Sequence, residues 1–280
     1  MLWFIPSVPI LSLEGAQLFY EVTGDGPALV LINGGGLDCR MWQPQVGPFS
    51  QHFRVVRYDP RGIGRSETTD RTATWSPRHD LRLLLSQLGI ERAHVIGLSW
   101  GGSLAIDFAL DHPSMVSSLV LVAPGLGGYK HGDVDRFLEQ LDLALDRGDI
   151  GTAVELTLRE SVDGPHRRPD QVDQHLRRAL GEMYRASYER STRSMAPQPM
   201  QPPALQRLGE IEAPTLLVVG SLDMTAIHDI ANLLVAGITN ITRADIADAA
   251  HMVNLEAPEA FNDRLLQFVS GVETKSGTVL

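Results

Sequence analysis

Six short apolar runs, at 28–32, 54–58, 93–97, 118–123, 215–219 and 242–246, set the strongest limit on what this chain can fold into. Several are continuously apolar rather than alternating, the pattern of strands buried on both faces of a parallel sheet. Amphipathic segments lie between them. Within 77–88, Leu81, Leu84, Leu85 and Leu88 recur at helical spacing, Pro77 suits the first turn and Gly89 the stop. A second helix is predicted over 101–110, ending before Pro113, and a last one over 258–269 with Phe261, Leu265 and Phe268 on one side. Strand and helix in alternation predict an α/β fold with a mostly parallel, doubly wound sheet and right-handed crossovers. Ahead of it, 11–13 and 18–22 flank a turn at Gly15 and read as an antiparallel hairpin on the sheet edge. The apolar stretch 1–10 lacks a basic start and is broken by Pro6 and Pro9, so it reads as a tail or first edge strand rather than a leader or a membrane span.

One connection is too long for this pattern. About 80–90 residues separate the run ending near Pro124 from the one opening at Thr215, where a connection within such a sheet usually takes roughly 2–6. Helical patterns at 134–147, 152–161 and 170–193, then prolines at 197, 199, 202 and 203, predict that 125–211 form an inserted helical cap. The core domain then comprises 1–124 and 212–280. The cap is expected over the C-terminal edge of the strands, where ligands bind in such sheets.

The strand pattern at 93–97 runs straight into Gly97-Leu98-Ser99-Trp100-Gly101 and the next predicted helix. A G-x-S-x-G sequence in that setting bends the chain tightly, and its small residues let the backbone pass while leaving the serine hydroxyl exposed. A hydroxyl is a weak nucleophile, so it needs a base within hydrogen-bond reach and an acid to hold the base in the right tautomer. Asp223 follows the 215–219 run in Gly220-Ser221-Leu222-Asp223, and His251 follows the 242–246 run in Ala249-Ala250-His251-Met252. Ser99, Asp223 and His251 are the candidate nucleophile, acid and base. Asp245 and Asp248 are nearer to His251 along the chain, but Asp248 would have to fold back within one loop. Acyl transfer also needs two donors aimed at the developing oxyanion. One is expected from the Trp100 N–H, the other from Asn33-Gly34-Gly35-Gly36, with Gly35 the first choice and Gly36 the second.

Charge narrows the partners. With 24 basic against 34 acidic residues the net charge is −10, which argues against nucleic acid or an anionic membrane. The single cysteine, Cys39, rules out an internal disulfide and fits a reducing cytoplasm. What the charge leaves is a small-molecule partner; no metal or organic cofactor is required, and a homo-oligomer is left open.

From Gly24-Asp25-Gly26-Pro27 through Asn33-Gly34-Gly35-Gly36, Asp59-Pro60-Arg61-Gly62-Ile63-Gly64-Arg65-Ser66, the Ser99 bend, Asp111-His112-Pro113, Asp223 and His251 to Asn254-Leu255-Glu256-Ala257-Pro258, the chain resembles capped serine hydrolases of the α/β-hydrolase superfamily. That resemblance implies the nucleophile, acid, base order for Ser99, Asp223 and His251. It gives Asp59, Arg61 and Arg65 buried or turn hydrogen bonding rather than catalysis. Asn33 stands where the family loop usually begins with His, and Ala250 stands where Gly is common.

A serine at the bend argues against the haloalkane dehalogenase and epoxide hydrolase branches, which need a carboxylate nucleophile. Carbon–carbon hydrolases of activated diketones usually place Asn before the serine and Trp after the histidine, where this chain has Leu98 and Met252. Ser99-Trp100-Gly101 and the Asp59 loop are similar to proline iminopeptidases, whose caps hold the substrate ammonium with acidic groups. Glu139, Glu155 and Glu160 are candidates for that task, but the His-Gly-Gly-Pro-Gly loop is absent. The leading expectation is hydrolysis of a small carboxylic ester or lactone through an acyl-enzyme. The iminopeptidase and carbon–carbon hydrolase readings are the alternatives, and a hydrolase-like ligand-binding protein comes last. The expected partner is thus a small-molecule ester, lactone or short peptide. Trp42, Met183, Tyr184 and Tyr188 are the candidates for the substrate cavity wall.

Overall fold

The computed structural model describes residues 9–70, 74–130, 132–190 and 197–277. Strands β1 (Ile10–Leu13) and β2 (Ala16–Thr23) form the opening hairpin, β3 (Ala28–Ile32) and β4 (Arg54–Tyr58) flank α1 (Gln43–Ser50), and β5 (Glu67–Thr68) precedes α2 (Pro77–Gln87). Next come β6 (Ala93–Leu98), α3 (Trp100–Asp111) and β7 (Val116–Val122), then α4 (Gly132–Asp146), α5 (Ile150–Leu158) and α6 (Gln174–Arg190). The chain finishes with β8 (Thr215–Gly220), α7 (Thr225–Gly237), β9 (Ile241–Ile246), α8 (Val253–Glu256) and α9 (Pro258–Ser276). The sheet order is β1-β2-β4-β3-β6-β7-β8-β9, with β5 on β2. Pairs involving β2 are antiparallel, and every pair from β4 through β9 is parallel. Residues 1–8 of the apolar N-terminal stretch lie outside the described residues, as do 191–193 at the end of the third predicted cap helix.

Strand periodicity divides the core into two layers. Val30 and Ile32 of β3 face one way, against Leu81, Leu84, Leu104, Phe108 and α7. Leu29 and Leu31 face the other way, against Phe49, Phe53, Phe261 and Leu265. Burial on both faces is why these strands read as continuous apolar runs.

Two helices beside the site go beyond the expected elements. Helix α1 contains Pro44, Gly47 and Pro48, residues that argue against a helix. Pro48 cannot donate to the Pro44 carbonyl, and Asn262 Nδ2 takes up that task at 3.3 Å. Buried Gln45 adds a donor bond to Asn254 O at 2.9 Å, so tertiary contacts hold a segment that local preference opposes. Helix α7 buries Ile227, Ile230, Ala231 and Leu234 along one stripe.

The insert between β7 and β8 carries α4, α5 and α6. Val154, Leu158, Leu180 and Tyr184 extend one core layer upward into it. Helix α4 is anchored least, for Ala144 is its one buried residue. Met200, Ala204, Leu208 and Ile211 are buried in the core layer of α3 and α7. No helix among the described residues is long and apolar enough to cross a membrane.

Candidate active site

Ser99 joins β6 to α3 with φ 56° and ψ −114°, a conformation that non-glycine residues rarely adopt. Main-chain bonds on both sides hold it there. Its N–H donates to Val122 O at 2.9 Å, and its carbonyl accepts from Ser103 N at 3.0 Å and Gly125 N at 2.9 Å. The small flanking residues have a steric cause. A Cβ on Gly97 would run into the Gly101 carbonyl, one on Gly101 into the Ile32 carbonyl, and one on Gly102 would sit 2.7 Å from the Pro124 Cβ.

Asp223 lies just ahead of α7 and is 2% exposed, while His251 lies past β9 and is 4% exposed. The His251 Nδ1 stands 3.1 and 3.2 Å from the two Asp223 carboxylate oxygens. Oδ1 of Asp223 also accepts from Met224 N at 2.7 Å, which fixes the carboxylate plane. Glu256 clamps the histidine loop, accepting from Ala250 N and Met252 N at 3.2 Å each, and is itself paired with Arg167 at 2.6 Å. Burial works against an imidazolium at His251. The charge and hydrogen bond of Asp223, then Glu160 and Glu256, outweigh it and raise the histidine above its ordinary 6.5.

Ser99 and His251 open onto one cavity of about 490 Å³ between the strand ends and the insert, and Gly34, Gly35, Gly36 and Trp100 border it too. In the glycine loop, Gly34 N–H already donates to Met41 Sδ at 3.2 Å, and Asn33 Nδ2 ties the loop to Tyr58 O at 2.9 Å. Asn33 thus anchors the loop from beneath.

Of the four wall candidates, Tyr184 and Tyr188 line the cavity. Their rings stack at 6.2 Å, and their hydroxyls meet Ser161 Oγ at 3.0 Å and Thr157 Oγ1 at 2.7 Å. Met183 does not reach it. One residue is about 100° of rotation on a helix, so the neighbour of Tyr184 faces a side cleft with Arg65 and Asp38 instead. Trp42 does not reach it either, being fully buried in the core with its ring 6.2 Å from that of Phe261. The apolar wall is not marked in the sequence. Val134, Phe137, Leu138 and Leu141 of α4 face Ile227 and Ile230 of α7 across it. Their spacing was visible, but a helix stripe looks the same whether it meets a core or a cavity.

Asp59, Arg61 and Arg65 lie outside the cavity. Buried Asp59 accepts from Cys39 N at 2.7 Å and Arg65 N at 2.9 Å, and Arg61 pairs with Asp80 at 2.6 Å. Of the acidic cap residues, Glu160 lines the cavity and Glu139 does not, while Glu155 is engaged by Arg159 and Arg177. Glu160 sits in a π-turn, Arg159–Asp163, an irregularity common at functional sites. Burial pushes its carboxyl up, and the facing His251 opposes that shift.

The profile of a family described as alpha/beta hydrolase fold matches residues 27–258. The chain is 27% identical to 3-oxoadipate enol-lactonase 1 of Acinetobacter baylyi over 96% of this chain and 99% of that protein. It is 32% identical to a 2-hydroxy-6-oxononadienedioate/2-hydroxy-6-oxononatrienedioate hydrolase of Burkholderia vietnamiensis, over 91% and 92% of the two chains. The crystal structure of a carboxylesterase from Bacillus subtilis superposes with a TM-score of 0.73 at 25% identity, covering 94% of this chain and 90% of that one.

Proposed function

The chain belongs to the alpha/beta hydrolase fold family, and from that premise we propose that it is a serine hydrolase cleaving a small carboxylic ester or lactone through an acyl-enzyme. The observation that carries this reading is a serine held at φ 56° on the same cavity as a histidine whose far nitrogen is bound to a buried carboxylate. In the proposed mechanism His251 removes the Ser99 proton as the hydroxyl attacks the carbonyl carbon, with Asp223 holding the Nε2-accepting tautomer and stabilising the imidazolium. The Trp100 and Gly35 N–H groups receive the oxyanion, each worth about 3 kcal/mol. His251 then protonates the leaving alkoxide and activates the water that releases the acid. Similarity to an enol-lactonase and a carboxylesterase supports the substrate class. The buried, unpaired Cys39 thiol is in keeping with a cytoplasmic setting. Ser99→Ala is expected to abolish turnover of 4-nitrophenyl esters and labelling by a fluorophosphonate while the melting temperature holds. Persistent turnover in that variant refutes the nucleophile.

A further inference from the structure

Resting on the hydrolase reading above, we infer that Glu160 makes this cavity a charge filter, admitting neutral acyl chains and turning away those that carry a carboxylate. The described wall has apolar faces from α4 and α7, a hydroxyl row from Thr157, Ser161, Tyr184 and Tyr188, and two carboxyl groups, Asp135 and Glu160. Among the described residues no lysine or arginine lines it. Three arginines of the insert are engaged elsewhere. Arg177 pairs with Asp163 at 2.9 Å and with Glu155 at 2.8 Å, Arg159 with Glu155 at 3.2 Å, and Arg167 with Glu256 at 2.6 Å. Moving Arg177 to meet a substrate carboxylate would strand a buried acid, for Asp163 is fully buried.

A substrate carboxylate entering this space meets the like charge of Glu160 with no lysine or arginine on the described wall to compensate, and His251 beside Glu160 must be neutral to act as the base. A neutral alkyl chain meets Leu138, Leu141, Ile227 and Ile230 instead. This separates the chain from relatives whose names carry an adipate or a dioate, despite the shared fold.

The test pairs two esters with the same leaving group and acyl length, 4-nitrophenyl pentanoate and mono-(4-nitrophenyl) glutarate. The readout is the ratio of their kcat/KM values, in which any general damage to the enzyme cancels. The parent is expected to favour the neutral ester by ~10-fold or more at low salt, and the ratio should shrink as salt rises. Glu160→Gln is expected to cut that ratio by at least ~5-fold, and Glu160→Asp, which restores the charge, to recover most of it. A parent ratio near unity overturns the filter, and a ratio unmoved in Glu160→Gln overturns the assignment to this residue. If neither ester is hydrolysed and Ser99 resists a fluorophosphonate, the underlying hydrolase reading fails instead.

Discussion

Asp223→Asn removes one charge from a contact whose geometry dictates the outcome. Oδ1 of Asp223 accepts from Met224 N at 2.7 Å, and both carboxylate oxygens lie within 3.2 Å of His251 Nδ1. An asparagine there keeps its carbonyl on the Met224 N–H and so turns its NH2 toward the imidazole. Nδ1 must then accept, the proton moves to Nε2, and the ring can no longer take the Ser99 proton. The lost charge adds to this. At about 4 Å and an effective dielectric near 20, a carboxylate steadies an imidazolium by about 4 kcal/mol, roughly a thousandfold in rate. The combined expectation is a fall in kcat of about 10³–10⁴-fold on 4-nitrophenyl butyrate, with the far-UV spectrum and melting curve retained. A variant within about tenfold of the parent would show that another group holds His251, and the assignment of the acid would be wrong.

Four further outcomes are expected. Because His251 is raised above 6.5 and must be neutral to act as a base, kcat/KM is expected to fall with an acidic midpoint above pH 6.5; a midpoint below 6.5 contradicts this. The same shift makes the histidine's contribution to stability largest below pH 6.5 and lost as pH rises through its folded value. Gly97→Ala drives a methyl into the Gly101 carbonyl and should cost about 3 kcal/mol in urea unfolding along with nearly all activity; an unchanged midpoint would mean the bend can relax. Asp107 has a buried Oδ1 that finds no hydrogen-bond partner among the described residues, and burial raises its carboxyl to about 6. Its ionisation therefore weighs against the fold increasingly as pH rises from 3.8 to about 6 and fully above that, and Asp107→Asn should stabilise by about 1–2 kcal/mol at pH 8. That gain should shrink as pH falls below 6 and vanish near the ordinary carboxylate value of 3.8, and a gain independent of pH would assign it to something other than the carboxylate.

The sheet was legible because β3 and β8, and the apolar stretches of β6 and β7, are covered on both faces, which writes a continuous apolar run into the sequence. The bend at Ser99 was legible because Gly97 and Gly101 are forced by backbone contacts rather than by preference. Helix α1 was not, since its stability comes from Gln45 and Asn262, partners more than 200 positions away from each other. Nor was the wall. Met183 and Tyr184 are adjacent in sequence and diverge by about a third of a turn, and Trp42 directly follows buried Met41 with nothing local to say that Phe261 would pack beside it. Periodicity tells which face is apolar but not what fills the space in front of it.

The weak anchoring of α4 has an evolutionary reading. Leu138 and Leu143 on that helix are 48% and 54% exposed, so exchanging its side chains disturbs few neighbours. The serine bend, by contrast, is locked on every side by main-chain atoms. Mutations that redraw the acyl-facing surface can thus accumulate on α4 while the reactive centre stays fixed, and a descendant could acquire a new preference without first passing through an unfolded intermediate sequence.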